Sequence, residues 1–208
     1  MSKKVSKPAV KAVLFDLGKV LFSFDFDTAF RHLSKHCDKS PKDIEAYFIQ
    51  SGLEVLYDGG KISSLQFYFK VKRALGLRLG FKHFKNTWNN IFTPIAPMSR
   101  LVTRLRLRYR LVLISNTNAM HFEFLSKRGA VLKQFHHVIL SYKEKMRKPD
   151  ERLYRLAVRA CHAKPAEIFY IDDRADLTEA AAALGLKTYT FRNDPLPLIK
   201  TMKRMGIL

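Results

Sequence analysis

The stretch that decides the fold is Val10-Lys11-Ala12-Val13-Leu14-Phe15-Asp16-Leu17-Gly18, a short apolar run that ends in a carboxylate. A run of this length, bounded by charge and glycine, is typical of a strand that is buried on both faces. In a parallel α/β sheet the carboxyl ends of the strands share one edge, and ligands bind in the crevice there. The stretch therefore predicts a buried first strand with Asp16 at a ligand-binding edge.

Three later stretches carry further polar groups in a fixed order. An apolar run ends in Ser-Asn-Thr-Asn at 115–118, a basic cluster Arg-Lys-Pro follows at 147–149, and another apolar run ends in two aspartates at 172–173. If these strands share one sheet, a carboxylate, a hydroxyl, an ammonium and a carboxylate pair converge on one edge. Two adjacent carboxylates cost energy unless a metal or a base is near. The set therefore indicates phosphoryl transfer with a divalent metal.

Helical and extended segments alternate along the second half of the chain. This alternation predicts a doubly wound parallel α/β sheet of the Rossmann-like kind. The predicted segments are a basic helix at 98–109, a strand at 111–114, a helix at 119–128, a strand at 138–140, a helix at 149–161, a strand at 168–171, a helix at 175–184, a strand at 188–191 and a final helix.

Only helical patterns occur between residues 26 and 92. Ser40-Pro41-Lys42-Asp43 is a helix start, with a capping serine, proline at the first helical position and an acid at the third. Residues 57–61 predict a turn, and Ser63 caps a helix that runs to Gly76. We therefore expect an α/β core of residues 9–25 and 94–208, with an inserted small α-helical cap at 26–93. Its aromatic residues are expected to pack in its interior; they are Phe67, Phe69, Phe81, Phe84, Trp88 and Phe92.

Composition excludes several classes of protein. The chain has 208 residues, of which 47% are hydrophobic, so a packed core is expected rather than disorder. It has no apolar run of about 18 residues and no apolar segment of a signal peptide, which predicts a cytoplasmic protein without a membrane span. Cys37 and Cys161 are the only cysteines, so neither a disulfide framework nor a multi-cysteine zinc site is expected.

The charge balance is strongly basic. Lysine and arginine number 38 against 18 acidic residues, a formal net charge of +20, with local runs at 3–11 and 100–110. Such an excess attracts polyanions, including nucleic acid, anionic lipid and phosphorylated metabolites. Because the basic residues are spread along the chain, a general surface property is the favoured interpretation, and a polyanion or nucleic-acid partner stays open.

Taken together, the four motifs resemble those of the haloacid dehalogenase-like hydrolase superfamily, in the branch with a helical cap after the first motif. The resemblance rests on residues 15–21, 115–118, 147–149 and 171–174, and the segment 57–63 also looks like that branch. It covers nearly the whole chain. The likeness is greatest to sugar-phosphate phosphatases with Asp-Leu-Gly in the first motif, and it implies hydrolysis of a small phosphorylated substrate.

The resemblance also implies a role for each motif residue. Asp16 would attack phosphorus and form an aspartyl phosphate, which divides one hard displacement into two steps. Ser115, Asn116 and Lys148 would hold the phosphoryl group, and Lys148 is also a catalytic residue. A magnesium ion would be bound by Asp16, the Gly18 carbonyl, Asp172 and Asp173, because Mg²⁺ prefers hard oxygen ligands. Arg174 is expected to balance this acidic edge, and Asp176 to orient a metal-bound water or cap the next helix.

Two positions depart from the family pattern. Gly18 stands where a second aspartate usually protonates the leaving group, so substrates with acidic leaving groups are expected to be favoured. Asp25 or Asp27 could replace that acid, although capping a helix is the better interpretation for both. Leu177 stands where this branch often has asparagine. His121, one turn into the helix after the second motif, is expected to be structural.

Two other functions remain open at this point. The first is a weakly catalytic or non-catalytic protein that uses its basic surface to bind a polyanion, which Gly18 and Leu177 favour. The second is a haloacid dehalogenase, whose chemistry needs no metal and is disfavoured by the pair Asp172 and Asp173. The sequence names neither the substrate nor the oligomeric state.

Overall fold

The computed structural model describes residues 9–208, so most of the basic run at 3–11 lies outside it. In chain order the strands and helices are β1 (Ala12–Phe15), β2 (Phe22–Phe24), α1 (Phe26–Ser34), α2 (Pro41–Ser51), α3 (Leu53–Asp58), α4 (Ser64–Leu75), α5 (Phe81–Asn89), β3 (Phe92–Pro94), α6 (Ala96–Arg106), β4 (Arg110–Ser115), α7 (Ala119–Arg128), β5 (His137–Leu140), α8 (Ser141–Glu144), α9 (Glu151–Cys161), β6 (Ile168–Asp172), α10 (Ala175–Ala183), β7 (Lys187–Thr190) and α11 (Pro195–Arg204). Two short 3₁₀ helices, Ala130–Gln134 and Pro165–Glu167, precede β5 and β6.

Five strands form one parallel sheet in the order β5-β4-β1-β6-β7, which confirms the predicted α/β class. Strand β1 lies at the centre, where Phe15 pairs with Leu113 of β4 and Ile171 of β6. This register places Asp16 level with Asp172 at the carboxyl edge, and the Asp16 N–H donates to the Ile171 carbonyl at 2.9 Å. The strand pairing alone therefore brings two motif carboxylates side by side.

Alternation along β1 builds a core on each face of the sheet. Val13 and Phe15 face one layer with α6 and α11, whereas Ala12 and Leu14 face the other with α9. All four side chains are completely buried. A strand buried on both faces reads as a continuous apolar run, which is why residues 12–15 show no alternation in sequence.

Helices α1 to α5 form a helical insert between β2 and β3. Their buried side chains make a separate cluster, centred on Phe48, Phe67 and Trp88, which Met120 of α7 joins from the core side. Strands β2 and β3 pair as an antiparallel ribbon, with Phe24 opposite Phe92. The ribbon holds the two ends of the insert together at the carboxyl edge of the main sheet.

The capping signals in the insert are confirmed. Ser40 and Ser63 each cap a helix in a reciprocal capping box, and Gly76 ends α4 with a left-handed backbone. Asp25 caps α1, as expected. The prediction of interior packing is wrong for Phe69, which is 60% exposed on α4, and Phe92 is only partly buried on β3.

Three elements near the edge differ from the sequence prediction. The turn predicted at 57–61 begins later, because Tyr57 and Asp58 end the short helix α3. Helix α9 begins at Glu151 rather than at Pro149, since Asp150 caps it by accepting from the Arg152 N–H at 2.9 Å. Strands β2 and β3 have three residues each and were not anticipated.

Candidate active site

Lys148 occupies the centre of the carboxyl edge. Its ammonium donates to Asp16 Oδ1 at 2.7 Å and to Asp172 Oδ2 at 2.6 Å, and it lies 3.2 Å from the Tyr170 hydroxyl. The Lys148 and Asp172 side chains have at most 1% of their surface exposed, and that of Asp16 has 10%. The structure thus brings together the first, third and fourth motifs in one buried, charged cluster.

The electrostatics of this cluster follow from burial and pairing. Burial by itself lowers the pKa of Lys148, but the adjacent carboxylates Asp16 and Asp172 outweigh it and raise that pKa above its usual value. Lys148 therefore stays an ammonium at neutral pH. Burial raises the pKa of Asp16 to about 7 despite the attraction of Lys148, so Asp16 needs further positive charge to be fully ionised.

The amide of Asn116 holds the backbone of Lys148 rather than facing open space. Its Nδ2 donates to the Lys148 carbonyl at 3.0 Å, and its Oδ1 accepts from the Lys148 N–H at 2.8 Å. The Ser115 side chain is buried at the end of β4, and among residues 9–208 its hydroxyl has no hydrogen-bond partner. Ser115 is thus free to bind a ligand, whereas Asn116 positions the lysine.

Three carboxylates could hold a cation. Asp16, Asp172 and Asp173 each offer an oxygen atom within 4.8 Å of the others. Asp172 is fully buried and its Oδ1 accepts from the Arg174 N–H at 3.0 Å, while Asp173 is only half-buried. Hard oxygen donors of this kind fit Mg²⁺. Asp16 and Asp173 are the accessible donors, and Asp172 is anchored between Lys148 and Tyr170.

A cleft with two chambers opens at this edge. The carboxylate chamber, about 240 Å³, contains Asp16, Lys148 and Asp173. The aromatic chamber, about 210 Å³, lies beside it, and its lining includes Phe24, Phe26, Phe92, Glu54, Asp58 and His121. Gly18, Phe24, Asp58 and Asn116 line both chambers, so the two form one continuous cleft.

Asp58 joins the helical insert to the core. Its carboxylate accepts from Asn118 Nδ2 at 3.0 Å, and its backbone carbonyl accepts from the Ser141 hydroxyl at 2.5 Å. Ser141 also accepts from the Thr117 N–H at 2.9 Å. The loops after β4 and β5 are therefore tied directly to the end of α3.

Residues 10–185 match the sequence model of the haloacid dehalogenase-like hydrolase family. The chain belongs to this hydrolase family.

Two curated relatives are similar to this hydrolase over most of its length. A D-ribitol-5-phosphate phosphatase of Bacteroides thetaiotaomicron is 25% identical over 193 residues, which cover 88% of this chain and 93% of the relative. A sesquiterpene phosphatase of Aspergillus oryzae is 27% identical over 181 residues, covering 85% of this chain and 87% of the relative. A crystal structure of a family enzyme from B. thetaiotaomicron, in complex with magnesium and inorganic phosphate, superposes with a TM-score of 0.82 at 27% identity; it covers 91% of this chain and 99% of that one.

The remaining motif residues of the hydrolase have structural partners. Arg174 pairs with Asp176, from Nη2 to Oδ2, at 2.6 Å, and Asp176 does not cap α10. Leu177 is buried, and its carbonyl accepts from the Tyr154 hydroxyl at 3.0 Å. Burial raises the pKa of the Cys161 thiol to about 12, so this cysteine is inert.

His121 is held as a neutral ring. Its Nδ1 lies 3.1 Å from Asn118 Nδ2, which can only donate, and its Nε2 lies 3.3 Å from the Trp88 carbonyl, which can only accept. Burial lowers the pKa of His121 to about 4. The ring stacks on Trp88 with centroids 5.6 Å apart, which supports the structural role that was predicted.

Sequence reasoning missed four groups around the cleft: Tyr170, Ser141, Asp58 and Glu54. Tyr170 carried a signal, because it lies two residues before Asp172 and therefore on the same side of β6. Ser141 directly follows β5, at the same edge as Ser115. Asp58 lies in the segment 57–63 that resembled the family, although no role was predicted for it. Glu54 had no such signal, since the pattern around α3 is too short to show a helical period. Of the helices in the part of the chain described, none is both long and apolar enough to cross a lipid bilayer.

Proposed function

We propose that this hydrolase is a Mg²⁺-dependent phosphatase that acts on a small phosphorylated metabolite through an aspartyl phosphate on Asp16. The observation that carries the proposal is the contact of Lys148 with both Asp16 and Asp172, beside the accessible Asp173. A nucleophile, a fixed cation and a site for a divalent cation then share one edge, which is the arrangement that phosphoryl transfer needs.

The relatives support the same reaction class. Both curated relatives carry phosphatase names, one for a phosphorylated polyol and one for a sesquiterpene, and the similar crystal structure contains magnesium with inorganic phosphate. Those substrates share a phosphate and differ in the rest of the molecule. This shared phosphate supports hydrolysis of a phosphate ester by this chain.

Each residue of the cluster has a definable task. Asp16 attacks phosphorus with one carboxylate oxygen, while Lys148 orients it and offsets the negative charge of the transferring group. The free hydroxyl of Ser115 donates to a phosphoryl oxygen, and Asn116 keeps Lys148 in place through its two backbone hydrogen bonds. When bound by Asp16, Asp173 and the Gly18 carbonyl, Mg²⁺ neutralises the charge that otherwise keeps a carboxylate and a phosphate apart.

The helical insert, residues 26–93, is the cap of this site in our proposal. Its helices supply Glu54, Asp58 and Phe26 to the aromatic chamber, and the ribbon at its base supplies Phe24 and Phe92. The two chambers together suit a small substrate, with its phosphate in the carboxylate chamber. Cap side chains then choose the leaving group, and the sheet performs the chemistry.

The experiment measures hydrolysis of 4-nitrophenyl phosphate by wild type, Asp16→Asn and Asp173→Asn, with Mg²⁺ and with chelator. We expect activity only with Mg²⁺, a loss of several orders of magnitude in Asp16→Asn, and loss of most activity in Asp173→Asn. Asp38→Asn is the matched control, because Asp38 is 88% exposed on the insert and its only ion pair among residues 9–208 is with Arg78. Its activity should equal that of wild type.

The opposite results are equally clear. Full turnover in chelator would contradict the metal assignment. Chloride release from 2-chloropropionate, measured separately, would favour carbon–halogen hydrolysis. Wild-type activity in Asp16→Asn would contradict the nucleophile. A structure with beryllofluoride bound away from Asp16, Ser115 and Lys148 would contradict the shared edge.

A further inference from the structure

The proposed reaction requires a proton for the departing oxygen, and Gly18 cannot supply it. General acid catalysis of this kind contributes about 10²–10⁴-fold to the rate. Asp25 and Asp27 are both exposed and line neither chamber. The Asp25 carboxylate caps α1, accepting from the Asp27 N–H at 2.9 Å and the Thr28 hydroxyl at 2.8 Å. The proton must therefore come from another group.

The aromatic chamber contains three titratable side chains among the described residues: Glu54, Asp58 and His121. His121 is neutral and both ring nitrogens are engaged. Asp58 accepts from Asn118 and lies 4.0 Å from an Arg147 guanidinium nitrogen, so it is committed to joining the insert to the core. Glu54 alone has neither a hydrogen bond nor an ion pair within residues 9–208.

Glu54 lies in the chamber that adjoins the carboxylate chamber at Gly18. It sits in the first turn of α3, is half-buried, and lines the same chamber as Gly18, Ser115 and Asn116. The left-handed Gly52, at the junction of α2 and α3, turns the chain there so that the first turn of α3 faces the cleft. A substrate whose phosphate lies in the carboxylate chamber would point its leaving group past Gly18 toward this carboxyl.

We propose that Glu54 is the general acid and base of this phosphatase, replacing from the cap the carboxyl that Gly18 lacks. The proposal rests on the proposed function, since it concerns the leaving group of the same reaction. A free carboxyl group in the substrate chamber is its structural basis.

The proton balance is complete with these groups. As Asp16 attacks, the bond between phosphorus and the leaving oxygen breaks, and the carboxyl proton of Glu54 passes to that oxygen, so the product leaves as a neutral alcohol. Glu54 is then a carboxylate. It takes a proton from the water that attacks the aspartyl phosphate, which releases inorganic phosphate, restores the Asp16 carboxylate and returns Glu54 to its acid form.

The electrostatic surroundings of Glu54 support this cycle. Burial raises the pKa of Glu54 to about 7, Asp58 on its own helix raises it further, and Arg147 opposite lowers it. His121, across the chamber, adds no charge above about pH 5. A carboxyl that titrates near neutral pH suits both halves of the reaction, because it can give and take a proton at similar cost.

The test compares two substrate classes, each with saturating Mg²⁺. One is 4-nitrophenyl phosphate, whose leaving group needs little proton help, and the other is an alkyl ester, ribitol 5-phosphate or glycerol phosphate. The variants are Glu54→Gln, which keeps the shape, and Glu54→Asp, which keeps the acid. Glu45→Gln is the matched control, because Glu45 is exposed on α2. The value of kcat/KM reports the phosphoryl-transfer step alone.

We expect Glu54→Gln to lower kcat/KM for the alkyl ester about 10²–10⁴-fold and that for the aryl ester less than about threefold. The alkyl pH profile should lose its descending limb, kcat should fall for both substrates, and the aspartyl phosphate should accumulate. Glu54→Asp should recover part of the alkyl activity. If Glu54→Gln does not fold, the same comparison in Glu54→Asp decides, with a smaller but still selective alkyl loss expected.

Other results would overturn the proposal. An alkyl loss below about tenfold would show that another group moves the proton. Equal losses for both esters would show that Glu54 acts on binding or folding. If wild type hydrolysed neither ester, the proposed function itself would fail, whereas activity that depends on Asp16 but not on Glu54 would refute this inference alone.

Discussion

Replacing Lys148 with methionine removes the only cation in direct contact with Asp16 and Asp172 among the described residues. The side chain is 1% exposed, and its ammonium lies 2.7 Å and 2.6 Å from the two carboxylates. Methionine fills a similar volume but leaves two carboxylates facing one another in a buried site. Removal of one partner from a buried ion pair costs about 3–5 kcal/mol of folding free energy, because the remaining charge has no partner.

The magnitude translates into a melting shift that is easy to measure. A domain of this size loses about 2–4 °C for each kcal/mol, so Lys148→Met should melt about 6–20 °C lower than wild type in chelator at pH 7.5. Two carboxylates that share a site raise the pKa of one of them above its unfolded value. The folded variant then binds an extra proton, so its deficit should shrink as the pH falls toward 5.

Thermal unfolding in chelator, repeated with Mg²⁺ and at pH 5, is the assay. Lys143→Met on α8 is the control, because Lys143 is exposed, and its stability should stay within about 0.5 kcal/mol of wild type. Mg²⁺ should restore part of the loss in Lys148→Met without restoring activity. A variant as stable as wild type in chelator at pH 7.5 would refute the reasoning, since Asp16 and Asp172 would then not depend on Lys148.

Two other perturbations test the packing around the cleft. Gly60→Ala places a Cβ atom 2.1 Å from the Tyr142 carbonyl oxygen at a φ of +64°, whereas the Cβ atom of Gly76→Ala, at a φ of +66°, meets nothing within 4 Å. In urea unfolding, Gly60→Ala should lose about 1–3 kcal/mol more stability than Gly76→Ala. Equal losses in the two variants would contradict the close approach of insert and core. In the folded protein the pKa of His121 is about 4, below the ordinary value of 6.5. Between pH 6.5 and pH 4 the unfolded chain therefore binds a proton at this histidine that the folded protein does not, and the folding free energy of wild type is lost as the pH falls. His121→Gln removes this titrating group. That loss, about 3 kcal/mol in wild type, should be absent from His121→Gln and present in the exposed His83→Gln; the same pH slope in all three would contradict the neutral ring.

Much of the fold could be predicted because its signals are local. The apolar run at 12–15 is continuous because β1 is buried on both faces. Ser40 and Ser63 each begin a helix with a capping box that spans four residues. Once the strands are parallel, their register alone brings Asp16 beside Asp172. The grouping of the motif residues therefore followed from the position of each at the end of a strand.

Long-range pairing explains what the sequence did not show. Strands β2 and β3 pair across about seventy residues, and three-residue segments have no period of their own. The Asn116 side chain looked like a ligand group, yet its partner is the backbone of Lys148, 32 residues away. Glu54 was invisible because nothing in the short α3 distinguishes an acid that faces the cleft from one that faces solvent.

The whole chain is strongly basic, whereas the cleft has nearly equal numbers of acidic and basic side chains. Five of the 18 acidic residues line the two chambers, namely Asp16, Glu54, Asp58, Asp172 and Asp173, and four basic residues accompany them, namely Lys19, Arg147, Lys148 and Arg174. The net charge of +20 attracts a phosphorylated substrate from a distance, within the reach that salt permits. Inside the cleft, however, a phosphate lies next to Asp16 and Asp172, and Lys148 is already paired with both of these carboxylates. Under the proposed function, the divalent cation is therefore what makes the cleft accept the anion that the surface attracts, and the need for Mg²⁺ follows from the charges of these residues.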